Sequence, residues 1–189
     1  MRRGNLIVIA GPSGVGKGSV VHALLSRDPE GLVRSVSATT RPPRSGETHG
    51  VDYLFLDDDA FDRMVGERAF LEWAEVFHGR RYGTPSEPVA RARDAGRDVV
   101  LEIDVQGAAQ IRDRAPDAVL ILLEPPSLAD LEARLRGRGT EDEASLRERL
   151  DAAERELAQA SWFDHVVVND DLERATDEVA AIIERSRTL

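Results

Sequence analysis

Four short runs of apolar residues stand out along the chain: Leu6–Ala10, Asp98–Val105, Ala118–Leu123 and His165–Val168, continuous or nearly so. Runs of this length without polar alternation predict strands buried on both faces, and the helical patterns between them predict crossover helices, hence a parallel α/β sheet. Directly after the first run comes G-P-S-G-V-G-K-G-S, residues 11–19, and then apolar positions at Val20, Val21, Leu24 and Leu25. That order predicts a strand, a glycine-rich turn and a helix, with a ligand crevice at the strand's C-terminal end. The pattern then changes. Val51–Leu56 alternates like a half-exposed antiparallel strand, Phe70–Phe77 holds a second strand, and Asp58–Gly66 has helical spacing. We read this stretch as a small β-rich insertion. A second departure, from Ser127 to about Ala160, is arginine-rich, then acidic, and helical except at Gly137 and Gly139, which suit a hinge or turn. The expected layout is a core of 1–36, 88–126 and 161–189, an insertion of 37–87 and a helical segment of 127–160.

Composition narrows the functional classes. At 189 residues one main domain is expected, and with no cysteine there is no disulfide or thiolate chemistry. Met1–Asn5 leads straight into a five-residue core strand, too short for a signal peptide, and no apolar run approaches a membrane span, so the expectation is a soluble, cytoplasmic protein. The formal charge of −10 argues against a general nucleic-acid or anionic-membrane surface. Any anion site must then be local and built from clustered bases.

The glycine-rich turn is the first such site. Gly11, Gly14 and Gly16 permit backbone conformations in which successive N–H groups point at a phosphate, and the helix beyond adds its positive dipole end. Lys17 is the chain's single lysine among 25 basic residues, a compact ammonium placed where a tight loop needs one. Gly18 follows it where a hydroxyl would ordinarily ligate magnesium, which leaves Ser19, or waters around it, as the substitute. Arg41 and Arg44 bracket Pro42-Pro43, whose restricted backbone sets the separation of two guanidinium forks suited to a phosphate dianion, although solvated surface arginines would read the same way. Glu102 and Asp104 lie two apart near the end of an apolar strand, on one face beside the crevice; a structural ion pair with an arginine is the alternative. Arg134 and Arg138 are one helical turn apart, with Arg149 further on, and like charges at that spacing suggest an intervening anion. The four histidines show no ligand spacing, and both tryptophans read as core.

The segment S-V-S-A-T-T-R-P-P-R-S-G-E-T-H-G-V-D-Y, Ser35 to Tyr53, joins that loop, V-L-E-I-D-V-Q-G, R-L-R-G-R-G-T-E and V-V-N-D-D-L in order from residue 11 to 172, and together they closely resemble guanylate kinase. The resemblance implies a P-loop core, a GMP-binding insertion, a mobile lid and the reaction ATP + GMP giving ADP + GDP, with Mg2+. It implies ATP binding by Gly11, Pro12, Ser13, Gly14, Val15, Gly16, Lys17, Gly18 and Ser19, with Asn169 near the adenine. For GMP it implies Arg41, Arg44, Tyr53 and Tyr82 on the phosphate, Glu72 with Ser37 and Thr84 on the guanine edge, and Asp104 organising the site and the metal's water shell; Glu75 is the alternative to Glu72. Lys17, Arg41 and the lid arginines Arg134, Arg138 and Arg149 would carry the transfer. Arg136 and Arg147 read instead as solvated or paired. ATP and GMP would be the partners, without nucleic acid, membrane or an obligate protein. Another nucleoside monophosphate kinase, or a non-catalytic guanylate-kinase-like module, are the rival readings. A GTPase switch is disfavoured, because its guanine motif N-K-x-D needs a second lysine and this chain has none.

Overall fold

The computed structural model of the protein describes residues 2–76, 79–137 and 143–188. Its centre is β1 (Leu6–Ala10), every residue of which is buried. It is flanked in parallel by β7 (Asp98–Glu102) and β8 (Val119–Glu124), with β2 (Leu32–Arg34) and β9 (His165–Val168) outside them in the order β2-β7-β1-β8-β9. Alternate residues divide between two cores. Leu6, Val8 and Ala10 join Val99, Leu101, Leu120 and Leu122 on one face, under α3 (Ser86–Asp94) and α4 (Val105–Arg114). Ile7 and Ile9 join Val100, Ile121 and Leu123 on the other, under α1 (Lys17–Arg27) and α7 (Leu172–Ser186). Burial on both sides is why these strands read as unbroken apolar runs.

The insertion forms its own mixed sheet, β4 (Leu54–Phe55), β3 (Ala38–Thr39), β6 (Arg81–Pro85) and β5 (Phe70–Glu75), in that order. Here α2 (Asp58–Gly66), capped by the Asp57 carboxylate, presses the fully buried Phe61 onto Phe70 at 4.7 Å between ring centroids. The sheet docks on the core through α4. The Gln110 side chain donates to Trp73 O at 2.6 Å, and Arg114 donates to Leu71 O at 2.8 Å. In the second departure, α5 (Leu128–Gly137) and α6 (Glu143–Leu157) pack on each other through Leu131, Leu135, Leu146 and Ala153.

Three expectations are corrected. The alternating stretch Val51–Leu56 contributes only Leu54–Phe55, and it pairs with β3 in parallel, because alternation reports exposure of one face and not strand direction. The apolar run Asp98–Val105 ends as a strand at Glu102, so Asp104 does not share a strand face with Glu102. Asp104 is instead the N-cap of α4 and accepts from the Gly107 amide at 2.7 Å.

At the other end of β7, Asp98 is wholly buried and accepts from Arg2 at 2.7 Å, from the Asn5 amide at 2.6 Å and from Arg187 at 2.6 Å, tying both ends of the chain to the sheet. Asp98→Ala is expected to lower the unfolding free energy by about 3 kcal/mol, the scale of breaking a buried pair and stranding its partners. Urea denaturation at constant m checks this; an unchanged midpoint would show that the cluster does not hold the termini.

Candidate functional site

The loop after β1 is shaped by its glycines. Gly16 precedes α1 with φ of +102°, and a Cβ there would stand 2.4 Å from the Asn169 side chain. Asn169, at the end of β9, donates its amide to Val15 O at 2.7 Å. Lys17 begins α1 and turns its ammonium back into the loop, donating to Gly11 O at 2.5 Å and Pro12 O at 3.2 Å.

A cavity of about 590 Å³ opens beside this loop. Gly11, Ser13 and Lys17 line one end, and Ser37, Arg41, Arg44, Tyr53, Glu72 and Tyr82 of the insertion line the other. Glu102, Asp104, Arg149 and Glu156 lie along the same wall. Residues from the strand end, the insertion and the α5–α6 segment thus face one space. Ser19 is exposed on the first turn of α1 and does not line it, nor do Arg134 and Asn169. Arg134 instead donates to Val15 O and Asn169 O at 3.2 and 2.8 Å, and Arg149 to the Ser13 hydroxyl at 2.9 Å. Arg138 lies outside the described residues. Arg136 pairs with Glu132 and Glu143.

At the insertion end, Arg41 lies under the rings of Tyr53 and Phe55, at 5.4 and 5.7 Å, and donates to the Tyr82 hydroxyl at 3.2 Å. Tyr53 meets Tyr82 edge-on at 6.0 Å. Glu72 is 4 % exposed and accepts from the Thr84 hydroxyl across the β5–β6 pair at 2.6 Å. Its other oxygen lies where a Cβ on Gly107 would come within 2.6 Å, so α4 needs glycine at that position to admit the carboxylate. Glu75, the alternative, is exposed and outside the cavity lining.

A family model described as guanylate kinase matches residues 3–186. The chain belongs to the guanylate kinase family. The guanylate kinase of Thermobifida fusca is 53 % identical over 178 residues, covering 94 % of this chain and 90 % of that one. That of Rubrobacter xylanophilus is 49 % identical over 185 residues, covering 98 % and 96 %. The crystal structure of guanylate kinase from Anaplasma phagocytophilum superposes with a TM-score of 0.79 at 33 % identity, over 98 % of this chain and 87 % of that one. The SH3-kinase fragment of tight junction protein 3 has the same fold, with a TM-score of 0.54, at 13 % identity over 97 % of this chain and 58 % of that one.

Two acids at the guanylate kinase site went unread in the sequence. Glu47 pairs with Arg41 through both carboxylate oxygens. Glu156, on α6, brings to the cavity wall a buried carboxylate oxygen with no hydrogen-bond partner among the described residues. Arg149 and Glu156 are seven apart, two turns along one helix face, a spacing too common in this acidic helix to single Glu156 out.

Burial pushes Glu72 up to about 7, partly offset by the Thr84 hydroxyl and reinforced by Asp104, and burial likewise pushes Glu156 up to about 7. A carboxyl that titrates higher folded than unfolded makes the native state bind more protons between the two values. Its stabilising contribution is complete below the unfolded value near 4.5 and is lost as pH rises through about 7. The thermal midpoint of the ligand-free protein is therefore expected to fall between roughly pH 5 and 8, and Glu72→Gln to flatten that fall, leaving the share that Glu156 carries. Identical pH profiles for the two proteins would rule out a buried, easily protonated Glu72.

Proposed function

We infer that this chain is an ATP:GMP phosphotransferase, a nucleoside monophosphate kinase that moves the γ-phosphoryl group of ATP to GMP and yields ADP and GDP. The observation that carries the reading is the shared cavity. Lys17 and the glycine loop face Arg41, Arg44, Tyr53 and Tyr82 across one space, so two phosphate-bearing ligands held there would meet. Family membership, with relatives named guanylate kinase over nearly the whole chain, supports the same substrates.

In this reading the loop amides of residues 11–19 and the Lys17 ammonium hold the donor's phosphates, and Asn169 borders the adenine. The Lys17 ammonium would exchange the carbonyls of Gly11 and Pro12 for phosphate oxygens. Arg41, Arg44, Tyr53 and Tyr82 hold the acceptor phosphate, and Ser37, Glu72 and Thr84 face its base. Guanine presents two adjacent donors, N1–H and the N2 amine, to a carboxylate; adenine does not. Glu72 left buried without those donors penalises AMP by about 1–3 kcal/mol or more. The attacking oxygen of GMP is already anionic at neutral pH, so no general base is required. What the side chains must do is align two polyanions and stabilise charge spreading over the transferring group. That work we assign to Lys17, Arg41, Arg134, Arg138 and Arg149. The lid we assign to 127–160 and the acceptor domain to 37–87, on a core of 1–36, 88–126 and 161–189; closure of the lid would exclude water.

The donor set fits a hydrated divalent cation held mainly by the nucleotide. No group of three or more His, Cys, Asp or Glu among the described residues could ligate an ion by itself, yet Glu102 and Asp104 both open on the cavity. At Gly18 a Cβ would stand 3.3 Å from Glu102 Oε1, so the residue in place of the usual hydroxyl also keeps the approach to that carboxylate clear. We assign Mg2+ to this place, with Asp104 accepting from its water shell, whereas Ser19 lies outside the cavity lining and would have to act through further waters; bound there, the ion would neutralise charge on the donor phosphates. The proposed setting is the cytoplasmic nucleotide pool, with ATP and GMP as the partners.

Lys17→Ala is expected to abolish turnover while GMP binds within about threefold of wild type, because a lost donor-side contact leaves the acceptor clamp intact. Calorimetric loss of GMP binding in that variant would overturn the division of labour. A coupled assay of ADP release with each of the four monophosphates tests the substrate assignment directly; equal rates with GMP and AMP would remove it.

A further inference from the structure

The guanidinium of Arg41 has five N–H groups on three edges. Four of them are committed. Nε donates to the Tyr82 hydroxyl at 3.2 Å, Nη1 to Pro42 O at 2.8 Å and to Glu47 Oε2 at 2.9 Å, and Nη2 to Glu47 Oε1 at 2.8 Å. Glu47 therefore holds the end-on edge of the fork in a two-point pair. The edge left is the side-on one, formed by Nε and the second N–H of Nη2, and the Tyr82 oxygen already sits on it. Because Tyr82 accepts from Arg41, its own hydroxyl proton is available to an anion placed beside that edge.

Glu47 does a second thing. Its Oε2 also accepts from the Arg44 amide at 2.6 Å, while the Glu47 amide donates to Arg44 O at 3.1 Å, so the turn that carries Arg44 is closed onto the same carboxylate. The pair is largely shielded, at 12 % exposure for the Arg41 side chain and 19 % for Glu47. Hydrogen bonds from Arg41 hold the carboxyl down at about 2, so it stays ionised at any working pH.

We propose that Glu47 is a positioning residue for the acceptor's phosphate: it occupies one edge of Arg41 so that only the edge shared with Tyr82 meets the ligand, and it fixes the backbone from which Arg44 reaches. This rests on the reading of Arg41 and Arg44 as the GMP phosphate clamp. A carboxylate beside two arginines also removes one positive charge from the clamp. The site thereby gains orientation at the expense of indiscriminate attraction for anions, which suits a monophosphate that must be presented in line and not merely bound. The competing role is separated by the sign of the effect: were Glu47 a stand-in that leaves when phosphate arrives, its removal would strengthen binding.

The test compares GMP with guanosine, which lacks the phosphate, by calorimetry on the full chain. Glu47→Gln is expected to weaken GMP binding about tenfold, the scale of losing one charge-assisted two-point pair, while guanosine binding stays within about twofold. KM for GMP should rise with KM for ATP unchanged. Glu47→Asp, which keeps the charge but withdraws it by one methylene, should fall between the two and covers the case in which the Gln variant folds poorly. Equal loss of GMP and guanosine would make Glu47 merely structural, and tighter GMP binding would make it a competitor; either overturns the proposal. Wild-type turnover with GMP tests the parent reading separately, since the GMP-to-guanosine ratio of the variants does not depend on it.

Discussion

The glycine-rich loop after β1 has no room around it, and the rest of the molecule is arranged to keep it so. A side chain at Gly11 would meet Leu123 O of β8 at 2.4 Å, one at Gly14 would meet Leu135 of α5 at 2.8 Å, and one at Gly16 would meet Asn169 after β9 at 2.4 Å. Three separate elements therefore press on six residues of backbone. The loop's conformation is set by tertiary contact as much as by glycine's own freedom, and its carbonyls are used to anchor those neighbours. Val15 O alone accepts from Asn169 and from Arg134. The α5 helix is consequently coupled to the loop through Leu135 and Arg134 together, so that a shift of α5 cannot leave the loop's carbonyl partners unchanged.

Electrostatics makes that crowding useful. A chain with a formal charge of −10 has to gather its bases where anions belong and keep its many acids from cancelling them. It does so by pairing. Arg81 is engaged by Asp58 and Asp62, Arg174 by Asp170, Arg187 by Asp28 and Asp98, all away from the cavity. Inside it, Lys17, Arg41, Arg44, Arg80 and Arg149 face Glu72, Glu102, Asp104 and Glu156. With Glu72 and Glu156 both raised to about 7, the bases outweigh the ionised acids at neutral pH, so the cavity stays attractive to anions in an acidic chain.

The parallel core was legible because burial on both faces leaves an apolar run, and the loop because strand, glycines, lysine and helix come in one order. What stayed hidden depended on contacts with no local signature. The three-residue β2 and two-residue β3 are too short to show a period, and their pairing is decided by neighbours far along the chain. Alternation makes Asp104 a strand residue, whereas the strand ends two residues before it, at Glu102, and its carboxylate caps α4. Glu47 lies within the recognised segment but reads as one more surface acid until the turn brings it back onto Arg41. Glu156 sits in a helix whose sequence, E-A-S-L-R-E-R-L-D-A-A-E-R-E-L, offers acids on every face. Only packing tells which of them is turned inward.

On the proposed reading of the cavity as a nucleotide site, Glu47 and Glu72 differ in how the fold prepares its two ends. Glu47 is surrounded by donors already: two nitrogens of Arg41 and the Arg44 amide satisfy it, and its carboxyl is drawn down to about 2. Glu72 has the Thr84 hydroxyl against a nearly complete loss of water, and its carboxyl is driven up to about 7. On the proposed reading, the Glu47 carboxylate at the phosphate end is therefore already satisfied before any ligand arrives. The base end is left electrostatically incomplete, so a ligand supplying two adjacent N–H donors recovers the deficit and one supplying an acceptor in their place deepens it. Under that proposal, recognition of the base would follow from which carboxylate the fold leaves unsatisfied, and orientation of the phosphate from which one it does not.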